Sequence, residues 1–119
     1  MRWGWSLATV ALGAGLMTAG CKSAHVEVTV ENRTGAEVRL LEVDYPSASF
    51  GADRIKAGGT MHYRIQVQGS GKVTVQYTDP GEKQVQATGP ELSEGERGAL
   101  EIVLEPTGKA EFRKTGSRE

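Results

Sequence analysis

The stretch Thr60-Met61-His62-Tyr63-Arg64-Ile65-Gln66-Val67-Gln68 alternates apolar and polar side chains without a break. Met61, Tyr63, Ile65 and Val67 share one phase, and the polar residues share the other. A period of two is that of a strand with one buried face and one wet face. Gly69-Ser70-Gly71 then reads as a tight hairpin loop. Lys72–Thr78 resumes the alternation, with Val73, Val75 and Tyr77 inward.

Working outward, the same period recurs. In His25–Glu31, Val26, Val28 and Val30 form the apolar phase, and Asn32-Arg33-Thr34-Gly35 supplies turn chemistry. Ala36–Tyr45 changes phase within itself: Val38 and Leu40 keep one, Leu41, Val43 and Tyr45 the other. Such a switch implies a bulge or a crossing between sheets. Pro46 ends regular pairing there. Ser47–Gly59 reads as an irregular middle from which Phe50 and Ile55 dip into the core. After Asp79-Pro80-Gly81 comes Lys83–Thr88, with Val85 and Ala87 inward, and then a polar loop, Gly89–Gly98. Ala99–Glu105 turns Leu100, Ile102 and Leu104 to one face, and Lys109–Lys114 carries Ala110 and Phe112. No apolar stripe at helical spacing lasts three turns. About seven short strands, with turns every 8–12 residues or so, predict an all-β chain folded as a single antiparallel β-sandwich; an open barrel is the alternative. The pattern resembles immunoglobulin-like or transthyretin-like domains in architecture, without the Cys…Trp…Cys signature of the former.

The chain has 119 residues, enough for one domain. Fourteen Lys and Arg stand against fifteen Asp and Glu. With no basic excess to neutralise phosphates, a nucleic-acid partner is not expected. The single cysteine, Cys21, excludes an intrachain disulfide and a multi-cysteine metal cluster.

The N-terminus, MRWGWSLATVALGAGLMTAGC, has a short positive region at Arg2, an apolar run from Leu7 to Met17, and small residues leading to Cys21. This is the layout of a secretory signal. The run is shorter than the ~20 residues a membrane-spanning helix needs. Thr18-Ala19-Gly20-Cys21 resembles the lipobox of bacterial lipoproteins, with Thr18 where Leu is usual in that family. The resemblance implies cleavage between Gly20 and Cys21 and fatty acyl chains on the Cys21 sulfur, fastening the chain to a lipid bilayer. The alternative is an ordinary secretory signal and a free thiol. Lys22, where an Asp often marks inner-membrane retention in enterobacteria, implies an outer-membrane protein facing the periplasm. The expected organisation is a signal over 1–20, a lipidated tether over 21–25, a sandwich over 26–114 and a disordered tail over 115–119. The mature chain then has 99 residues and a charge of −2, and both Trp3 and Trp5 leave with the signal. Only Lys22, Ser23, Ala24 and His25 separate the anchor from Val26. Fully stretched, that tether reaches ~17 Å, so the domain is expected to sit at the membrane surface.

Candidate sites are few. His25 and His62 lack a neighbouring nucleophile, and no G-x-S-x-G occurs. Met61 and His62 are adjacent and so point to opposite faces, which argues against a shared metal. Glu91, Glu94 and Glu96 read as a solvated acidic loop without calcium-loop spacing. Asn32-Arg33-Thr34 matches a glycosylation sequon but reads more simply as hairpin chemistry. Tyr45 and Phe50 flank a small-residue loop; they either stack on a ligand or plug the core. The outward residues of Thr60–Gln68, Lys72–Thr78 and Lys83–Thr88 are expected to share one polar sheet face. From these, the candidate ligand-binding residues are Tyr45, Phe50, His62, Arg64, Gln66 and Gln76. No catalytic residue, cofactor or metal is expected. The expected function is a membrane-anchored, non-catalytic envelope module that binds protein or glycan; the alternative is an accessory subunit of a larger envelope complex such as a secretion system.

Overall fold

The structure, a computed structural model, describes residues 24–116. The signal, Gly20 and Cys21 lie outside the described residues, as does most of the expected tail. The described chain is all-β. Its strands are β1 (Val26–Asn32), β2 (Val38–Tyr45), β3 (Ala48–Ile55), β4 (Thr60–Ile65), β5 (Gly71–Thr78), β6 (Gln84–Leu92), β7 (Gly98–Leu104) and β8 (Ala110–Thr115). They form two four-stranded sheets, β4-β1-β7-β8 and β3-β2-β5-β6. The buried side chains of both sheets make one sandwich-like core. Val26, Val28, Val30, Leu100, Ile102 and Leu104 come from the first sheet, and Val38, Leu41, Val43, Val73, Val75 and Tyr77 from the second. Fully burying a side chain of this kind contributes roughly 1.5–3 kcal/mol. The chain's stability rests on this stack.

Several expectations are corrected. There are eight strands, because the supposed irregular middle contains β3. Its Ala, Ser, Gly and Asp are poor strand formers, yet β3 pairs along β2 from Val38↔Ile55 to Tyr45↔Ala48. The pairing is not all antiparallel: β1 runs parallel to β7, from Val26↔Gly98 to Asn32↔Leu104. Gly69-Ser70-Gly71 does not close a hairpin, since β4 and β5 belong to different sheets and the link crosses between them. The polar loop is shorter than expected, because β6 continues to Leu92, which is fully buried. β8 likewise reaches Thr115, the first residue of the expected tail, which lies opposite Ala99.

The phase switch in β2 is a bulge. Arg39 pairs with Thr78 and Glu42 with Gln76, so β2 carries an extra residue between them. Leu40 takes the left-handed conformation (φ 52°) and points out, 61% exposed, while Val38 and Leu41 stay buried.

Asn32 joins the sheets. It is fully buried at the end of β1. Its Nδ2 donates to the carbonyls of Ala36 (2.8 Å), Ile55 (2.9 Å) and Lys56 (3.1 Å). Its Oδ1 accepts from the Thr34 N–H (3.0 Å) and hydroxyl (2.7 Å). The sequon is therefore an inter-sheet clasp, not a hairpin turn. Along one side of the sandwich, Phe112 of β8 packs over Gly89 of β6, where a Cβ would strike its ring. Along the other side, β3 and β4 meet.

Candidate functional site

The sheets send the sequence-predicted site residues to four separate places. His62 and Arg64 lie on the outer face of the first sheet. Arg64 Nε donates to Glu27 Oε2 (2.9 Å), and His62 Nδ1 lies 3.3 Å from the Thr29 hydroxyl. His25 Nε2 is 3.5 Å from the same Glu27 oxygen, and Arg113 pairs with Glu101 (3.1 Å) on that face. This is a wet face of exposed ion pairs, each contributing little to stability. Gln76 lies on the outer face of the second sheet, where its Nε2 donates to Glu42 Oε1 (3.2 Å). Gln66 sits in the crossing link, and its carbonyl accepts from Ser47 Oγ (3.3 Å). The single polar face expected from three consecutive strands therefore does not exist; the crossing between β4 and β5 divides it.

Tyr45 and Phe50 do come together, and Tyr63 joins them. Phe50 is buried at the β3–β4 side. Its ring lies 4.5 Å from that of Tyr63 and meets Tyr45 edge-on at 6.3 Å. Phe50 thus plugs the core, while Tyr63 is 46% exposed. Tyr63 holds the inward phase of β4, but an edge strand leaves that position half open. Burial raises the pKa of the Tyr45 phenol, and the nearby Tyr63 phenol adds to the effect.

The acidic loop is also not what its composition implied. Glu96 is 5% exposed, and its Oε1 accepts from the Ser93 N–H (2.8 Å). Its Oε2 pairs with Lys114 Nζ at 2.8 Å, and that ammonium also donates to the Glu91 carbonyl (3.0 Å). This clasp ties the β6–β7 link to β8. Among the described residues, no group of three or more His, Cys, Asp and Glu side chains is arranged to hold a metal ion.

One surface feature went unread in the sequence. A shallow, open groove of about 600 Å³ runs over the outer face of β2 and β3, lined by Leu40, Glu42, Ser49, Gly51 and Asp53 among others. The bulge builds it by pushing Leu40 outward. Gly51 allows β3 to approach the bulged β2 closely: a Cβ there would run into the Leu41 carbonyl oxygen. The groove's only sequence signal is the change of phase between Leu40 and Leu41. Next to it on β2, Asp44 has a raised pKa. Desolvation is the main cause, followed by a hydrogen bond to Glu42 and its charge, while Thr74 acts the other way.

No protein-family model matches the chain, and the curated proteins give no match. Its fold is similar to the NMR structure of a protein from Eubacterium rectale, with a TM-score of 0.60. The superposition covers 82% of this chain and 97% of that one, at 10% identity. A likeness at that identity shows the fold alone.

Proposed function

We propose that the chain is a lipid-anchored, non-catalytic module of the bacterial envelope that binds protein or glycan at the membrane surface through the groove over β2 and β3. The observation that carries the binding site is Leu40. A bulky side chain in the left-handed region is conformationally costly, and here it is also 61% exposed beside a groove. Glu42 and Asp53 line the same groove, and Gln76 is hydrogen-bonded to Glu42. They offer acceptors and an amide to the hydroxyls or amides of a partner. The reading is non-catalytic because the two histidines, the groups best suited to proton transfer near neutral pH, face Glu27 and Thr29 on an open sheet. The anchor reading rests on the lipobox resemblance at Thr18–Cys21. Within the sandwich class, we infer a transthyretin-like type. Immunoglobulin constant domains keep their first, second, fourth and fifth strands in one sheet, whereas here β1 and β4 are parted from β2 and β5.

Photo-crosslinking in native envelopes tests the binding site. A crosslinker replacing Leu40 should give a discrete protein or glycan adduct, and one replacing Glu111 on the other sheet should not. Equal yields from both positions, or none from Leu40, would overturn the assignment. A stoichiometric adduct with one large assembly would favour the accessory-subunit reading.

A further inference from the structure

Besides Leu40, Tyr63 is the other large apolar side chain left exposed among the described residues. It belongs to a continuous aromatic strip, Tyr63 against Phe50 and Phe50 against Tyr45, along the β3–β4 side of the sandwich. The place of this strip along the sandwich matters as much as its exposure. Tyr63 lies opposite Val28, and Ile65 opposite Val26, where the chain enters β1. At about 3.3 Å per residue, Tyr63 is within roughly 7 Å of that level. The Pro46-Ser47 turn that follows Tyr45 is at the same end: Ser47 Oγ donates to the Gln66 carbonyl and accepts from the Gln68 N–H (3.2 Å). The strip and the chain's point of entry therefore share one end of the molecule. The tether before Val26 reaches only ~17 Å. A tyrosine offers an apolar ring with a polar tip, which suits the headgroup level of a bilayer. Burial of the Tyr45 phenol raises its pKa, the direction that favours the neutral form. Exposed Glu94 is at this same end, in the β6–β7 link, where its N–H donates to Ser70 Oγ (3.2 Å); that link joins β6 and β7, not the β3 and β4 strands that carry Phe50 and Tyr63.

We propose that in the anchored protein the Tyr45–Phe50–Tyr63 edge seats on the bilayer interface, so that the sandwich lies on its β3–β4 side. This rests on the lipid-anchor reading above. The occupant is the lipid surface because the strip is apolar, rimmed by phenols and placed within the reach of the anchor. Lying on this side leaves both outer sheet faces open to the periplasm.

The test uses the full-length protein purified from bacterial membranes and reconstituted in phosphatidylethanolamine–phosphatidylglycerol vesicles, with and without brominated acyl chains. With Trp3 and Trp5 cleaved off in the acylated form, a single introduced tryptophan becomes the only indole. Tyr63→Trp is predicted to shift its emission to the blue and to lose most of it to the brominated lipid. Glu111→Trp, on the far edge strand, should lose almost none. Intact mass establishes the anchor separately. Acylated Tyr63→Trp protein quenched no more than acylated Glu111→Trp protein overturns this inference and leaves the anchor standing. Protein without acyl mass overturns the anchor reading and this inference with it. Emission of the Tyr63→Trp variant that is unaffected by lipid but shifted by added peptidoglycan fragments assigns the strip to a glycan and also overturns it.

Discussion

At the residue scale, Asn32 shows how one polar side chain specifies a sandwich. Its amide donates to three carbonyls, two in links and one at the end of β3, and its oxygen receives both donors of Thr34. A buried polar group left without its partner costs about 1–3 kcal/mol. Asn32→Ala is therefore predicted to lower stability by roughly 2–4 kcal/mol in urea unfolding. Asn32→Asp, of the same shape, should also destabilise, because it replaces an amide donor with a carboxylate facing carbonyl oxygens. Thr34→Val should cost about 1 kcal/mol. Asp44 supplies the second residue-scale prediction. Its pKa is raised above the ordinary value of 3.8, by desolvation first and by Glu42 second. The folded state thus binds this proton more tightly than the unfolded state. Stability from this group is fully present below the unfolded pKa and is lost as the pH rises through the folded one. Asp44→Asn is predicted to be more stable than the parent at pH 7, with the gap closing as the pH falls through the raised folded pKa and gone below about 4. A gap that stayed constant from pH 3 to 7 would count against it.

At the element scale, the bulge in β2 sets one strain against one function. Leu40 at φ 52° carries a backbone cost that asparagine largely avoids. Leu40→Asn is expected to keep or raise thermal stability, by up to about 1 kcal/mol, while losing the crosslinked partner. Loss of both together would mean that Leu40 supports the fold and not a site. The bulge was legible in the sequence because Val38 and Leu41 are both apolar and out of phase. β3 was not, because Ser49, Gly51 and Asp53 carry no strand signature and only pairing with β2 makes them one. The division of the polar face was equally hidden. Alternation in Thr60–Gln68 and Lys72–Thr78 fixes which side of each strand faces inward, but it is silent on whether Gly69-Ser70-Gly71 turns back or crosses over. Tyr63 shows the same limit, since its inward phase is readable and its edge position is not. Composition also misjudged Glu96, which the short β6–β7 link turns inward to meet Lys114.

At the scale of the whole molecule, two sheets share a core, and the parallel β1–β7 pair places the start of the described chain beside a central strand of the first sheet. That end also carries the Pro46-Ser47 turn and lies close to the aromatic edge, while the groove opens on the outer face of the second sheet. An anchor at Cys21 would hold the module by this end, leaving the groove to meet partners from the periplasm. Cys21→Ser is accordingly predicted to leave the fold unchanged and to release the protein from membranes on fractionation. The intact mass of the wild-type polypeptide extracted from native membranes tests the account most directly. That polypeptide is predicted to begin at Cys21 and to carry the added mass of at least two fatty acyl groups. A chain that begins at another residue, with an unmodified thiol at Cys21, would contradict it.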